Sequence, residues 1–370
     1  MNYNDALNFI EKKQSLGIKP GLARIMSLLE SMDKAQDKIK VIHVAGTNGK
    51  GTVSSTIAKC LENAGYKVGL FTSPWVIDYR EQIQINGEFI PKNVFADYVD
   101  KYKNADATEF ELLTGIMYKY FADSHVDYAV IECGMGGKGD ATNTEKHNLS
   151  VITSVAVDHT AFLGDTVEKI ALEKSGIIRE NSTCVLYPNP DCENVFEKVC
   201  LKSNTKLVKI SDLGDYDKNN LETVNAVLRE LKISSRYFAN ETVKLPARCE
   251  KIGSVLLDGG HNINSALTLA PKLNDEVAVI GMMKDKDVEG YLSLIAPKCK
   301  MIIATTPDNP RSMPCQELAE IAKKYCNNVT FEENPQKAVE IAKKSNLSLV
   351  CGSFFLAREI RKDLLKYKIR

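Results

Sequence analysis

The 370-residue sequence lacks an excess of charge of either sign, a Cys-x-x-Cys pair and a long apolar run. Lysine plus arginine equals aspartate plus glutamate at 48 each, so nothing favours nucleic acid or an anionic membrane as a partner. The ten cysteines are scattered, which argues against a zinc site or a disulfide framework and indicates reduced thiols. No apolar run approaches the ~18 residues of a membrane span, and the N-terminus carries no signal pattern. We therefore expect a cytoplasmic protein.

Short apolar runs alternate with helical periodicity, which predicts an α/β fold with parallel sheets. The chain length and a poorly periodic stretch after Leu231 predict two domains, 1–245 and 246–370, the second smaller and Rossmann-like. The alternating run Gln82–Ile90, with Asn86-Gly87 at its centre, predicts a hairpin. The predicted strands are Lys40–Ala45, Lys67–Thr72, Val126–Glu132, Ser150–Val155, Thr183–Tyr187, Val255–Asp258, Val277–Met282, Met301–Thr305, Val329–Glu332 and Leu347–Cys351.

The segment from Val41 to Gly65 carries the strongest chemical signal in the chain. An apolar strand leads into Gly46-Thr47-Asn48-Gly49-Lys50-Gly51-Thr52 and then directly into an amphipathic helix. Glycines let backbone N–H groups approach phosphate oxygens, and a helix N-terminus favours negative charge. Lys50 can bind the β- and γ-phosphates of ATP, and the Thr52 hydroxyl can reach a phosphate or magnesium. The alternative interpretation is a tight strand-to-helix turn with no ligand.

Several motifs in chain order resemble those of the folylpolyglutamate synthase/dihydrofolate synthase family within the Mur ligase superfamily. The phosphate loop GTNGKGT carries the resemblance, and Leu16–Glu30 is similar to the N-terminal segment of that family. The further matching motifs are Thr72-Ser73-Pro74, Ile131–Asn143, Asp158–Thr166, Ile170–Ile177, LPARCEKI, LDGGHN, MKDKD and PRSMP. The resemblance implies a Mur-ligase-like ATP-binding first domain that contains the phosphate loop, and a glutamate-ligase second domain.

The resemblance also implies a role for particular side chains. It assigns Mg²⁺ to Ser73, Glu132 and His159, and implies that Lys174 is carbamylated and so becomes a carboxylate-like ligand. The implied ATP-binding residues are Thr47, Asn48, Gly49, Lys50, Gly51, Thr52, Asn225, Arg248 and Asp258. The implied catalytic residues are Lys50, Lys174, Asp258 and His261, with Asn262 beside the last.

Residue type alone favours plainer interpretations of several of these positions. Lys174 would be an ordinary solvated lysine, and Glu132 a surface carboxylate at a strand end. His159 would cap a loop, Arg248 would form a salt bridge, and Asn225 would be exposed on its helix.

The reaction implied by the resemblance is ATP-dependent addition of L-glutamate to a folate carboxylate through an acyl phosphate, and in some members to dihydropteroate. The expected ligands are folate or dihydropteroate, L-glutamate, ATP and Mg²⁺, and a requirement for a monovalent cation is left open. The protein is expected to be a monomer. Trp75, Gln82 and Lys138-Gly139 depart from the family pattern. The alternatives are a Mur-type ligase acting on a UDP-linked cell-wall precursor, and a nucleotide-binding homologue that has lost catalysis.

The phosphate-loop hypothesis predicts that Lys50→Ala abolishes ATP binding, because the substitution removes the full positive charge at the helix start. Nucleotide affinity measured by titration calorimetry tests this expectation. An affinity equal to that of the unsubstituted chain would contradict it.

Overall fold

The computed structural model describes residues 1–14, 17, 21–146 and 148–367. Contacts divide the chain into two compact units, Met1–Val243 and Lys244–Arg370. Each unit contains its own sheet flanked by helices, which confirms the predicted α/β class. The boundary at residue 245 and the functional labels of the two domains stay predictions. Leu16 and Ile18–Pro20, from the segment resembling the family N-terminus, lie outside the described residues.

The first unit is a mixed sheet with the strand order β4-β3-β2-β5-β1-β6-β7-β8 among its described residues. The strands are β1 Val41–Ala45, β2 Val68–Phe71, β3 Ile83–Ile85, β4 Glu88–Phe89, β5 Tyr128–Glu132, β6 Asn148–Ile152, β7 Thr183–Leu186 and β8 Lys206–Lys209. The helices are α1 Tyr3–Gln14, α2 Ala23–Ser31, α3 Lys50–Asn63, α4 Lys92–Tyr102, α5 Glu109–Asp123, α6 Thr160–Leu163, α7 Val167–Ser175, α8 Glu193–Lys202 and α9 Tyr216–Glu230.

Strand β1 shows why this sheet has helices on both faces. All five of its residues are buried, and successive side chains point to opposite sides of the sheet. Ile42 and Val44 pack into the core that contains residues of α3 and α9, whereas Val41 packs into the core that contains residues of α2 and α5. A strand buried on both faces reads as a continuous apolar run, as β1 does.

The parallel pairing of four strands places the site at one edge of this sheet. Strand β1 pairs in parallel with both β5 and β6, and β2 pairs in parallel with β5. Their carboxyl ends therefore meet at the same edge, where open α/β sheets bind ligands. Glu132 is the last residue of β5, and the segments that follow β1, β2 and β6 contain the phosphate loop, Ser73 and Asp158-His159.

The second unit is a smaller sheet with the order β13-β12-β11-β14-β10-β9 in the described part of the chain. Its strands are β9 Glu250–Ile252, β10 Val255–Asp258, β11 Glu276–Ile280, β12 Cys299–Ala304, β13 Val329–Phe331 and β14 Leu349–Cys351. Its helices are α10 Ile263–Leu269, α11 Val288–Ile295, α12 Cys315–Ala322, α13 Pro335–Lys343 and α14 Phe354–Tyr367. The pairings are parallel except at the edge, where β9 runs antiparallel to β10.

The ten strands predicted from apolar runs are present, and the Asn86-Gly87 turn joins β3 to β4 as predicted. The pattern does not predict β8, which is an edge strand with an exposed lysine at each end. It also does not predict β9, whose three residues form a strand only because β10 supplies its hydrogen-bond partners. No helix in the described residues is long and apolar enough to cross a membrane.

Candidate active site

Two glycines of the phosphate loop stand where a side chain would collide with its surroundings. A Cβ at Gly46, whose φ is +154°, would lie 1.8 Å from Oγ1 of Thr153. A Cβ at Gly49, whose φ is +87°, would lie 2.8 Å from Oδ1 of Asn220. Because only glycine tolerates both the backbone angle and the close approach, the sequence of this loop is dictated by packing as well as by any ligand.

The start of the loop is fastened to the segment that follows β6. The Thr47 amide donates to the Ser154 carbonyl at 2.7 Å, and the Asn48 amide donates to the same oxygen at 3.3 Å. The Thr47 hydroxyl donates to the Ala156 carbonyl at 3.0 Å and accepts from the Ala156 amide at 3.1 Å. The Thr47 side chain therefore anchors the loop, and its predicted ATP-binding role stays a prediction.

The phosphate-binding capacity of the loop accordingly lies at the N-terminus of α3. This helix begins at Lys50, directly after Gly49. The first N–H groups of a helix have no partner within the helix, and they carry the positive end of its dipole. Gly51 and Thr52 belong to this first turn. An anion such as a phosphate is stabilised at this position.

Lys50, Glu132 and Ser73 lie together beside the loop. Nζ of Lys50 donates to the Thr47 carbonyl at 3.2 Å and lies 3.9 Å from Oε1 of Glu132. The other carboxylate oxygen of Glu132 accepts from the Ser73 amide at 3.1 Å. Glu132 is only 2% exposed, so it is not the surface carboxylate that residue type alone suggests.

Lys174 is also part of this group, and the interpretation as a solvated lysine is wrong. Its side chain is on α7 but is only 3% exposed, and Nζ donates to the Gly46 carbonyl at 2.7 Å. Burial, and next the positive charge of Lys50, lower the pKa of Lys174 to about 7. The Lys174 amine therefore loses its proton at a much lower pH than the amine of an exposed lysine does. A buried lysine of this kind is typical of functional sites.

His159 lies in the segment between β6 and α6. It adopts a left-handed backbone conformation directly before α6, and its amide donates to Oδ1 of Asp158 at 2.7 Å. The carboxylates of Asp158 and Asp140 are close enough to Lys174 to act on its pKa. No cluster of three His, Cys, Asp or Glu side chains arranged for a metal occurs in the described ranges. The metal role of Ser73, Glu132 and His159 therefore stays a prediction.

The donor set nevertheless suits Mg²⁺ chemically. Mg²⁺ prefers oxygen ligands, and it commonly takes one or two carboxylates together with substrate phosphates. Glu132 supplies a buried carboxylate next to the phosphate loop, and Ser73 supplies a hydroxyl. His159 fits Mg²⁺ less well than the other two residues, because imidazole is a softer ligand than this ion prefers.

Two asparagines of α9 have different surroundings, and the predicted nucleotide contact of Asn225 stays a prediction. The Asn225 amide donates to the Ala239 carbonyl and accepts from the Ala239 amide, at 3.1 and 3.0 Å. Asn225 is therefore engaged in holding a neighbouring segment. Asn220 approaches Gly49 instead, is fully buried, and has no hydrogen-bond partner for its amide within the described residues.

The sequence interpretation missed Asn220. The signal that could have indicated it is a tyrosine and an asparagine spaced by four residues near the start of α9. Tyr216 precedes it by four residues, so the two side chains share one face of α9. Both the Tyr216 hydroxyl and the Asn220 amide oxygen lie within 3.0 Å of the position that a Gly49 Cβ would take.

The segment from residue 75 to 90 shows how the chain is built where it departs from the family pattern. Gln82 stands where that pattern has arginine, and it is buried with its amide donating to the Tyr79 carbonyl at 3.1 Å. Arg80 is nearby, but its guanidinium is bound to Asp78 at 3.0 and 2.8 Å. It also lies over the Tyr3 ring, 5.5 Å from the centroid. The cation in this segment is thus already paired within the protein.

In the second unit, Asp258 holds the backbone of two turns. Its Oδ2 accepts from the Cys249 amide and its Oδ1 accepts from the Gly260 amide, both at 2.8 Å. Arg248 directly precedes Cys249, and its guanidinium lies 4.2 Å from the ring centroid of Phe354. The salt-bridge alternative for Arg248 has no support in the described residues.

His261 and Asn262 follow the same Gly-Gly turn. Nδ1 of His261 lies 3.1 Å from the Gly259 carbonyl, and this contact orients the ring. Asn262 caps α10, since its side chain accepts from the Ser265 amide at 2.9 Å. Asn262 takes part in this cap, and the roles predicted for Arg248, Asp258, His261 and Asn262 stay predictions.

Comparison with known proteins identifies the family. The Mur ligase middle domain family matches residues 44–268, and the Mur ligase glutamate ligase domain family matches residues 247–354. The dihydrofolate synthase/folylpolyglutamate synthase of Bacillus subtilis is 30% identical over 98% of this chain and 99% of its own length. The chain belongs to the folylpolyglutamate synthase/dihydrofolate synthase family.

Two solved structures of this family resemble the whole chain. Escherichia coli FolC in complex with DHPP and ADP has a TM-score of 0.88 and 26% identity, covering 100% of this chain and 99% of its own. The bifunctional folylpolyglutamate synthase/dihydrofolate synthase of Yersinia pestis, complexed with AMPPNP and an Mn ion, has a TM-score of 0.87 and 26% identity, with 98% of each chain covered. The resemblance noted from the motifs is thereby confirmed.

The buried Lys174 of this family member predicts a particular pH dependence of stability. Its folded-state pKa of about 7 lies below the ordinary value of 10.5, so between these values the unfolded chain binds more protons than the folded chain. The free energy of unfolding should therefore rise with pH from about 7 to 10, by up to ~1.4 kcal/mol per pH unit from this group. Lys174→Met should lack this contribution.

Urea denaturation of both proteins in CO₂-free buffer at pH 6 to 10 measures the difference. Lys169→Met is the matched control, since Lys169 is on the same helix but is exposed and paired with Asp165. Parallel stability curves for the unsubstituted chain and Lys174→Met would show that the lysine is not buried as described.

Proposed function

We propose that the protein is an ATP-dependent ligase that joins L-glutamate to a carboxylate of a folate through an acyl phosphate. The observation that carries this proposal is the convergence of Lys50, Lys174 and Glu132 on a glycine-constrained loop at a helix N-terminus. Family membership supports folate as the acceptor. We extend the proposal to dihydropteroate as a second acceptor.

The chemistry requires activation of the carboxylate, because a carboxylate is a poor electrophile. A carboxylate oxygen of the folate attacks the γ-phosphorus of ATP, and ADP leaves with the electrons of the broken P–O bond. The glutamate amine then attacks the acyl carbon, the amide forms, and inorganic phosphate leaves. Lys50 and the first N–H groups of α3 would stabilise the charge on the transferred phosphoryl group.

Mg²⁺ held by Glu132 and Ser73, with His159 in addition, would neutralise negative charge on the phosphates. The Ser73 amide that donates to Glu132 orients the carboxylate without using the serine hydroxyl. The hydroxyl is therefore available as an oxygen ligand.

Lys174 suits the proposed carbamylation in three respects. Its lowered pKa provides the neutral amine that can attack CO₂, and the product is an anion. Its burial shields the product from water. The nearby positive charge of Lys50, which destabilises an ammonium, would stabilise a carbamate instead. A monovalent cation is not part of this proposal.

Carbamylation predicts a ¹³C resonance of a carbamate when the protein is incubated with ¹³C-bicarbonate at pH 8. Lys174→Ala should lack the resonance, whereas Lys169→Ala should retain it. A spectrum of the unsubstituted protein without a carbamate signal would remove this part of the proposal and leave the ligase proposal in place.

Asn220 is a better candidate than Asn225 for a contact with the nucleotide. Its buried amide has neither donor nor acceptor satisfied in the described structure, and leaving such a group unpaired costs about 1–3 kcal/mol. It lies against Gly49 of the phosphate loop. Because the amide is inaccessible to solvent, a bound nucleotide would supply the missing hydrogen bonds only after a shift of the loop at Gly49.

The decisive experiment measures glutamate-dependent ADP release with folate, dihydropteroate and a UDP-muramoyl peptide precursor in separate reactions. Release with folate is expected, and release with the UDP-linked substrate alone would instead identify a Mur-type ligase. Release with none of the three, despite nucleotide binding, would identify a homologue without catalytic activity.

His261→Ala should leave ATP binding unchanged but stop glutamate addition. The prediction rests on the family role of this histidine near the acyl phosphate or glutamate, and on its oriented ring beside the Gly259 carbonyl. His125→Asn is the control, because His125 is exposed at the end of α5 in a left-handed conformation that asparagine also adopts. Turnover of His261→Ala at the unsubstituted rate would count against the role.

A further inference from the structure

A buried ion pair lies in the first unit beneath the candidate site. Nδ1 of His43 lies 3.0 Å from Oε1 of Glu145, and both side chains are almost completely inaccessible to solvent. The Tyr118 hydroxyl donates to the other carboxylate oxygen at 3.2 Å. A guanidinium nitrogen of Arg179 lies 3.6 Å from Glu145. We call these residues, His43, Glu145 and Arg179, the buried network.

Each member of the buried network belongs to a different segment of the site. His43 is on β1, three residues before Gly46. Glu145 follows the turn that links Glu132 to β6. Arg179 follows α7, which carries Lys174. The network therefore connects the strand of the phosphate loop, the turn after Glu132 and the helix of the buried lysine.

The imidazole of His43 makes the connection to the turn after Glu132. Its Nε2 lies 2.8 Å from Oγ1 of Thr142 and 3.1 Å from Sγ of Cys133, the residue next to Glu132. The Thr142 hydroxyl donates to Oδ1 of Asp140 at 2.5 Å. The other Asp140 oxygen accepts from the Met135 amide at 2.7 Å. The glycine-rich turn is thus held from its buried side.

The guanidinium of Arg179 makes the connection to the lysine helix. It donates to the Glu145 carbonyl at 2.9 Å, to the Gly176 carbonyl at 3.1 Å, and to the Asn143 side chain. The Asn143 amide in turn donates to the carbonyls of Gly176 and Lys138, each at 3.1 Å. The planar guanidinium group of Arg179 thereby joins the end of α7 to the turn after Glu132.

The turn after Glu132 and helix α7 are packed in direct contact. The Lys138 amide donates to the Glu173 carbonyl at 2.8 Å. A Cβ at Gly137 would lie 2.7 Å from the carbonyl oxygen of Lys174. A shift of the turn would therefore move the backbone of Lys174, whose amine bonds to Gly46.

We propose that His43, Glu145 and Arg179 are positioning residues that hold Lys174 and Glu132 in register with the phosphate loop. The proposal rests on the ligase function for its catalytic consequence, but its structural part does not. Their contacts among the described residues run to Thr142, Asn143 and the carbonyl of Gly176, and they act through these groups.

Arg179→Lys tests the proposal, since lysine keeps the charge but cannot make the three forked contacts at once. Arg24→Lys is the matched control. Arg24 forms a similarly buried bidentate pair with Glu111, at 2.9 and 3.1 Å, between α2 and α5. The two arginine side chains are 19% and 22% exposed respectively. Glu145→Gln is a second test variant that removes the charge at constant shape.

The first measurement is amide hydrogen exchange of the full chain without ligands. Arg179→Lys and Glu145→Gln should exchange about tenfold faster in all three connected segments, residues 46–52, 133–143 and 170–178. Arg24→Lys should leave these segments as in the unsubstituted chain. Faster exchange confined to the neighbourhood of residues 176–179, or an equal effect of Arg24→Lys, would overturn the proposal.

The second measurement is steady-state kinetics of glutamate-dependent ADP release. Arg179→Lys should lower kcat about tenfold or more with a smaller change in KM for ATP, because misplacement affects the transition state most. If the unsubstituted protein shows no ligation while the exchange result holds, the function is wrong and the positioning role stands. Normal kcat in both test variants would overturn the positioning role in an active ligase.

Discussion

The site depends on the burial of a lysine amine beneath the first glycine of the phosphate loop. Lys174 donates to the Gly46 carbonyl, and Gly46 lies so close to Thr153 that a Cβ there would be 1.8 Å from the threonine Oγ1. Burial and the positive charge of Lys50 lower the pKa of Lys174 to about 7, against the opposing influence of Asp158 and Asp140. Lys50 itself lies 3.9 Å from the buried carboxylate of Glu132.

The two parts of the phosphate loop have different roles. The first part of the loop is committed to the protein, since Thr47 and Asn48 bind the segment after β6. The second part, from Lys50 onward, is the open N-terminus of a helix. A nucleotide phosphate would thus meet a structure already in place, and pre-organisation of this kind reduces the cost of binding.

In the second unit, two carboxylates fix the backbone around the predicted site residues. Asp258 stabilises the segment before β9 and the turn after β10 by accepting the amides of Cys249 and Gly260. Ala247 and Cys249 have positive φ values although neither is glycine. The Glu250 carboxylate, which forms a bidentate pair with Arg361, accepts from the Ala247 amide. These contacts hold a strained backbone on either side of Arg248, as is common where a side chain must point in one direction.

The sequence by itself determined the α/β class, the order of the principal strands and the position of the phosphate loop, because these are written in local periodicity and in glycine spacing. The motifs named Lys50, Glu132 and Ser73 separately, and the structure brings these three side chains together beside the loop. Only the tertiary structure decided that Lys174 is buried, that Asn220 rather than Asn225 approaches the loop, and that His43 pairs with Glu145. Burial, pKa and pairing depend on residues far apart in the chain, and no local pattern records which of them meet.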